Sequence, residues 1–245
     1  MISFRSVTKK YGTDTLALDH VDLEVGKGEF VFVVGPSGAG KTTLMRMIYR
    51  GDTPTSGSVV VNGWDVGRLP MRKVPFLRRE IGIVFQDFLL LSQRTVFDNI
   101  AFNLRVTEEV HRDLKRRVME ALEIVGLAQM AHKYPHQLSA GEQQRIGIAR
   151  AIVGRPLVLL GDEPTGNLDP KTSEDILRCF LDVNRMGTTV LMATHAVALV
   201  DNFRQRVIGI DQGRIVRDEL SGAYFQPTGT TAAQSEPHSE GAVGR

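Results

Sequence analysis

The 245-residue chain carries a formal charge of only +2, too weak for charge alone to argue for a nucleic-acid partner. With 42% hydrophobic and 24% charged residues it has the composition of an ordinary globular protein, long enough for one large domain, or one with a subdomain, around a sizeable core. Its single cysteine, Cys179, excludes an internal disulfide, and no apolar run approaches the roughly 18–20 residues of a membrane-spanning helix.

The N-terminus, Met1-Ile2-Ser3-Phe4-Arg5, lacks the long apolar stretch of a secretory leader, so a cytosolic protein is expected. Any work at a membrane would then need a second, anchoring chain. Residues 1–34 alternate apolar and polar positions, with turns at Tyr11-Gly12 and Gly26-Lys27-Gly28. They read as a small antiparallel sheet leading into a buried strand. That strand, Phe30-Val31-Phe32-Val33-Val34, is apolar and rich in β-branched residues, as a parallel strand covered on both faces should be.

It runs into Gly35-Pro36-Ser37-Gly38-Ala39-Gly40-Lys41-Thr42-Thr43, a fit to G-x-x-x-x-G-K-[ST], and then into a helix-like run from Leu44 to Ile48. Strand, glycine loop and helix in this order are the context in which the pattern holds the phosphates of a nucleoside triphosphate. Glycines leave room for a tight backbone, and successive N–H groups together with the helix N-terminus face the anion. Lys41 would place its charge on the β- and γ-phosphates, and the Thr42 hydroxyl would help to hold Mg²⁺. The alternative, a glycine turn that merely joins strand to helix, is the minor reading.

Further on, Gly57-Ser58-Val59-Val60-Val61-Asn62-Gly63 reads as a short strand ending in an Asn-Gly turn. Three more strand-like runs follow. Ile81-Gly82-Ile83-Val84-Phe85 ends at Gln86, Leu157-Val158-Leu159-Leu160-Gly161 at Asp162-Glu163, and Thr189-Val190-Leu191-Met192-Ala193 at Thr194-His195. Ligands of open parallel sheets bind at the carboxyl ends of the strands, and here four such ends carry chemically useful residues. Residues 87–156 lack strand alternation and read as a helical insertion, with Val110, Leu114, Val118, Leu122 and Val125 at helical spacing. The last stretch, 223–245, is expected to be a disordered tail beyond a domain spanning 1–222.

Asp162 is placed to hold Mg²⁺ through its water shell, and Glu163 to orient or deprotonate an attacking water. The plainer reading of either is a helix cap or a loop charge. Ser139, with Glu142 three residues on, is a capping box opening a helix over 140–153, whose free N–H groups would form a second anion site.

The order of these motifs resembles the ATPase subunit of ATP-binding cassette (ABC) proteins over about residues 1–220. The resemblance implies an α/β fold of the P-loop NTPase type: a RecA-like, mostly parallel core sheet with a small antiparallel β subdomain and a helical subdomain. It implies two copies that sandwich two ATP head to tail, each nucleotide lying between one copy's P-loop and the other copy's signature, Ser139, Ala140, Gly141, Glu142 and Gln143. By the same resemblance Tyr11 stacks on adenine, Gln86 touches Mg²⁺, Asp169 contacts the opposite copy, and His195 contacts the γ-phosphate. Ala140 stands where the family usually has glycine, Glu142 where glutamine is commonest, and Ala196 follows His195 where aspartate is usual.

Phe85-Gln86-Asp87-Phe88-Leu89-Leu90-Leu91, Arg94-Thr95-Val96-Phe97-Asp98-Asn99 and the run from Thr189 to His195 are similar to the cell-division branch of the family, in its actinobacterial form. That likeness implies an integral membrane subunit resembling FtsX, control of cell-wall hydrolysis, and a place at the cytoplasmic side of the membrane at the division site. A lipoprotein-release or macrolide-type export ATPase is the runner-up. Residues 86–105, directly after Gln86, are the expected docking surface for the membrane subunit, unless Phe88, Leu89, Leu90 and Phe97 are simply core.

Overall fold

Alternating residues near the N-terminus form two long antiparallel strands, β1 (Ile2–Tyr11) and β2 (Thr15–Val25), and the expected buried strand follows as β3 (Phe30–Val34). The chain then gives α1 (Lys41–Ile48), β4 (Ser56–Val61), β5 (Trp64–Asp65), α2 (Val74–Arg79), β6 (Ile81–Phe85) and α3 (Val96–Val106). After α4 (Leu114–Ile124) and α5 (Ala140–Ile152) come β7 (Val158–Asp162), α6 (Pro170–Arg185), β8 (Thr189–Ala193), α7 (Val197–Phe203), β9 (Arg206–Asp211) and β10 (Arg214–Glu219). This computed structural model describes residues 1–106, 113–222 and 224. The expected tail, apart from Tyr224, and part of the helical run read from Val110 lie outside the described residues.

Two sheets result. One is antiparallel, in the order β2-β1-β4-β5; the other runs β10-β9-β3-β8-β7-β6. In the second sheet every pairing from β9 to β6 is parallel, and β10 adds an antiparallel edge. The expected α/β class, mostly parallel with an accompanying antiparallel sheet and helices, is therefore observed. The Asn62-Gly63 turn behaves as its sequence dictates: both residues have positive φ (46° and 82°), and β4 and β5 form a hairpin across it. Pairing of β4 with β1 across more than fifty residues, and the strands β9 and β10, go beyond the sequence reading.

β3 shows why its run is uniformly apolar. Phe30, Phe32 and Val34 face a core shared with α3 to α7, whereas Val31 and Val33 face a second core shared with α1, α2 and the antiparallel sheet. With period-two side chains and helices on one face and a sheet on the other, no position of the strand meets water. Burying each such side chain stabilises the fold by about 1.5–3 kcal/mol. Among the described residues no helix is long and apolar enough to cross a membrane.

Candidate functional site

Strand register assembles the site. Phe85 pairs with Asp162, Asp162 with Ala193, and Ala193 with Val33, so one row of residues crosses β6, β7, β8 and β3. Gln86, Glu163 and Thr194 leave the sheet directly after that row, and Val34, one residue further along β3 and paired with Gly209, leads into the glycine loop.

The loop after β3 is shaped by its neighbours as much as by any ligand. Gly35 has φ +152°, and a Cβ there would lie 2.1 Å from the Ile210 carbonyl oxygen in β9. Gly40, the N-cap of α1 at φ +112°, would place a Cβ 2.6 Å from the Ala17 carbonyl oxygen of β2. Gly38, at φ +78°, faces open space. Two of the three glycines are thus demanded by close approach of the protein's own backbone. Gly35→Ala is expected to cost roughly 3 kcal/mol of stability, read as a lower urea midpoint at constant slope; an unchanged midpoint would contradict this packing.

Lys41, only 5% exposed, donates to the carbonyl oxygens of Gly35 (2.8 Å) and Pro36 (3.0 Å) and lies 3.8 Å from a Glu163 carboxylate oxygen. The Thr42 hydroxyl donates to Asp162 Oδ1 at 3.2 Å, joining the first turn of α1 to the end of β7. Burial pushes the Asp162 carboxyl above the usual carboxylate range, and the Glu163 charge adds to this, while Thr42 and Lys41 act the other way. Glu163 itself sits at φ +50°, a conformation that costs a non-glycine residue on the order of 1 kcal/mol. It is held there by its N–H bond to the Ala193 carbonyl (3.0 Å) and by the Gly166 N–H on its own carbonyl (3.1 Å). Its second carboxylate oxygen is 3.1 Å from His195 Nδ1. That contact gives the histidine a partner other than position 196, where Ala196 instead caps α7 and bonds through its N–H to Thr194 Oγ1.

The remaining expected residues fall around this centre. Gln86 donates to Asn167 Oδ1 at 3.1 Å, linking the end of β6 to the loop after β7. Tyr11 closes β1 with its ring 38% exposed; its hydroxyl donates to Asp52 at 2.5 Å, and the Lys9 ammonium stands 4.7 Å from the ring centroid. Asp169 caps α6 by accepting from the Thr172 N–H at 3.0 Å. A groove of about 300 Å³ opens beside Glu163 and His195, walled by the starts of α6 and α7. A larger cavity, about 640 Å³, lies at the opposite, amino ends of the strands near Lys27 and Thr188 and contains none of these groups.

Ser139 stands apart. It caps α5 as its spacing requires: the Glu142 N–H donates to its hydroxyl (3.3 Å), and its own N–H and hydroxyl both donate to the Glu142 carboxylate (2.8 Å each), holding that carboxyl below its usual pKa. Ser139 and Ala140 are exposed. Gly141 lies against the start of α6: a Cβ there would meet Thr172 Cγ2 at 2.5 Å, so a larger residue would require the threonine side chain to turn aside. α5 packs over β6, three strand spacings, about 14 Å, from the P-loop strand. Among the described residues no hydrogen bond or ion pair joins the signature to the P-loop of the same chain.

Residues 18–166 match the family model described as ABC transporter. The chain belongs to the ABC transporter family. It is 54% identical over 225 residues to the cell division ATP-binding protein FtsE of Mycobacterium tuberculosis, covering 91% of this chain and 98% of that protein. It is 49% identical over 224 residues to FtsE of Bacillus subtilis, with 91% and 98% covered. Among solved structures, the dimeric post-hydrolysis state of the ATP-binding cassette MJ0796 bound to ADP and Pi is similar with a TM-score of 0.80 at 34% identity, covering 91% of this chain and 100% of that one. The chain is thus an ABC-type ATPase.

In this ABC ATPase three polar side chains matter that the sequence reading did not single out. Asn99, fully buried, accepts from the Leu91 N–H and donates to the carbonyls of Leu91, Arg94 and Thr95, fixing the segment after Gln86. Arg150 donates to the carbonyls of Leu89 (2.6 Å) and Phe88 (3.1 Å). Gln144, fully buried in α5, donates to the carbonyls of Phe85 and Pro164. Its available signal was position: it lies four residues before the buried Ile148, on the core face of a helix, where a polar side chain needs a reason.

Proposed function

We propose that two copies of this chain close head to tail around two ATP and drive a conformational change in an integral membrane subunit resembling FtsX, at the cytoplasmic side of the membrane at the division site. The observation that carries the reading is the in-register row of strand ends, which gathers Lys41, Thr42, Asp162, Glu163 and His195, while the exposed, capped N-terminus of α5 makes no hydrogen bond or ion pair to the P-loop among the described residues. A phosphate site beside an exposed anion-binding helix end that does not engage it fits a second copy supplying that end.

In this reading the P-loop N–H groups, Lys41 and the α1 N-terminus hold the triphosphate, and Tyr11 stacks on the base. Thr42, Asp162 and Gln86 offer oxygen ligands to Mg²⁺. The residues fit such an ion: the Thr42 hydroxyl and Asp162 Oδ1 are two hard oxygen ligands held 3.2 Å apart, as suits an ion that takes its remaining ligands from phosphate and water. When bound, the ion would neutralise charge on the β- and γ-oxygens. Glu163 accepts a proton from the water that attacks the γ-phosphorus, the bond from that phosphorus to the β–γ bridging oxygen breaks, and ADP, phosphate and a proton result. His195, paired with Glu163, contacts the γ-phosphate. Ser139, Ala140, Gly141, Glu142 and Gln143 of the second copy complete the site, and Asp169 contacts that copy. The cell-division name shared by the relatives favours division over lipoprotein or macrolide export.

The helical subdomain, 87–156, carries the docking surface. Phe88 and Leu90 are half-buried and Leu90 and Phe97 pack on the core, so within residues 86–105 the exposed large apolar residues are Leu89 (58%), Leu91 (41%) and Phe102 (51%). Asn99 and Arg150 hold the backbone at Leu91 and Leu89, close behind Gln86 in the chain, so a shift at Gln86 is expected to reach the apolar surface. Leu89→Asp should abolish co-purification with the membrane subunit while leaving the melting temperature and ATP binding unchanged. Retained co-purification would remove this surface from the account.

A further inference from the structure

Gln144 is a buried amide that bonds to the ends of two elements of the site and leaves one of its own atoms unpaired. Its side chain is fully buried, Nε2 donates to Phe85 O at 3.1 Å and to Pro164 O at 2.6 Å, and Oε1 has no hydrogen-bond partner. Both acceptors are carbonyls, so the amide fits only this way round, with its oxygen left over. An aliphatic side chain would remove the stranded oxygen but would leave the Phe85 and Pro164 carbonyls without this donor, so the two bonds, and what they join, are what the amide supplies.

What the two bonds join gives the reason. Phe85 immediately precedes Gln86, and Pro164 immediately follows Glu163. One amide on α5 therefore fixes two backbone turns: the end of β6 that aims Gln86, and the turn that keeps Glu163 at φ +50°. The turn at Glu163 is secured on its amino side by the bond to Ala193 and within itself by Gly166, and among the described residues it is Gln144 that hydrogen-bonds it to the helix that Ser139 caps. Ser139 is five residues, less than one and a half helical turns, N-terminal of Gln144 on that same helix.

We infer that Gln144 is a positioning residue for hydrolysis, carrying the placement of the signature helix to the carboxylate of Glu163 and to Gln86 through its two carbonyl bonds. The inference rests on the reading of Glu163 as the base. It makes chemistry depend on how α5 is held, so a nucleotide engaged by Ser139 of one copy sets the geometry of Glu163 in that same copy. ATP binding, which uses the P-loop, does not depend on it.

Gln144→Met keeps the volume and removes both donors. It should lower kcat on the order of tenfold to a hundredfold, the effect of misplacing a catalytic group by a fraction of an ångström to one ångström. KM for ATP and Kd for ADP should stay within about threefold, since neither bond touches the P-loop. Gln144→Glu, a second volume-preserving variant, should show the same split. Ile146→Val on the same helix reports structural loss alone and should shift the melting temperature without lowering kcat. Wild-type kcat in Gln144→Met beside an inactive Glu163→Gln would overturn the inference. So would a parallel loss of kcat and ADP affinity in both Gln144 variants, the mark of a merely structural role. Turnover persisting in Glu163→Gln would overturn the base assignment instead.

Discussion

Glu163→Gln is expected to retain ATP binding while turnover falls by about 10²–10⁴-fold, the loss that follows removal of a general base. The substitution is isosteric and neutral, so the turn held by Ala193, Gly166 and Gln144 keeps its bonds. What disappears is the proton acceptor and the negative charge shared with Lys41 at 3.8 Å and His195 at 3.1 Å. Losing that charge also relieves the neighbouring carboxyl: burial is the main cause of the raised Asp162 pKa, and repulsion from Glu163 adds to it, so Asp162 ionises more readily in the variant. Nucleotide affinity is therefore expected to hold or rise, and an ATP-bound dimer to accumulate. Phosphate release and light scattering on one sample check both parts; hydrolysis at the wild-type rate would refute the role given to Glu163.

The second large effect is expected at Lys41. Its ammonium is buried and rests on two carbonyls of its own loop, so the side chain is already directed into the cradle rather than extended into solvent. Lys41→Ala removes a charge-assisted contact to phosphate, about 2–3 kcal/mol, which raises Kd for ATP on the order of a hundredfold. Two loop carbonyls lose a donor and Glu163 loses a cation at 3.8 Å but stays partly exposed and paired with His195, so the fold should weaken by only about 1–2 kcal/mol. Calorimetric titration with ATP, with an unfolding curve alongside, separates the two; unchanged affinity would mean that the loop does not hold the triphosphate.

What could be read in advance follows the range of the interactions. The P-loop, the Ser139–Glu142 capping box and the Asn62-Gly63 turn are local patterns whose geometry is set within a few residues, and each formed as its spacing requires. The four functional strand ends were legible because a buried parallel strand announces both its length and its carboxyl terminus. That they share one row depends on register between strands far apart in sequence, which no single segment records. Gly35 and Gly40 are read from the pattern of their own loop alone, and part of the reason for them lies elsewhere, since the atoms that exclude a Cβ belong to Ile210 and Ala17. Gln144 and Asn99 escaped notice because a buried amide is recognised by its carbonyl partners, and those lie on other elements or in irregular loops. Cys179 is buried on α6, and burial pushes its thiol pKa up, the setting of an unreactive structural thiol.

The central claim is that the nucleotide site is shared between copies, and mixing two inactive chains tests it most directly. Ser139→Arg retains an intact P-loop with a blocked signature; Lys41→Ala retains an intact signature with a disabled P-loop. Each alone should be inactive. Mixed in equal amounts, half of the dimers pair the two, and each of those carries one complete site out of two, so turnover should recover to roughly a quarter of wild type. No recovery on mixing, with dimers forming normally, would contradict a shared site.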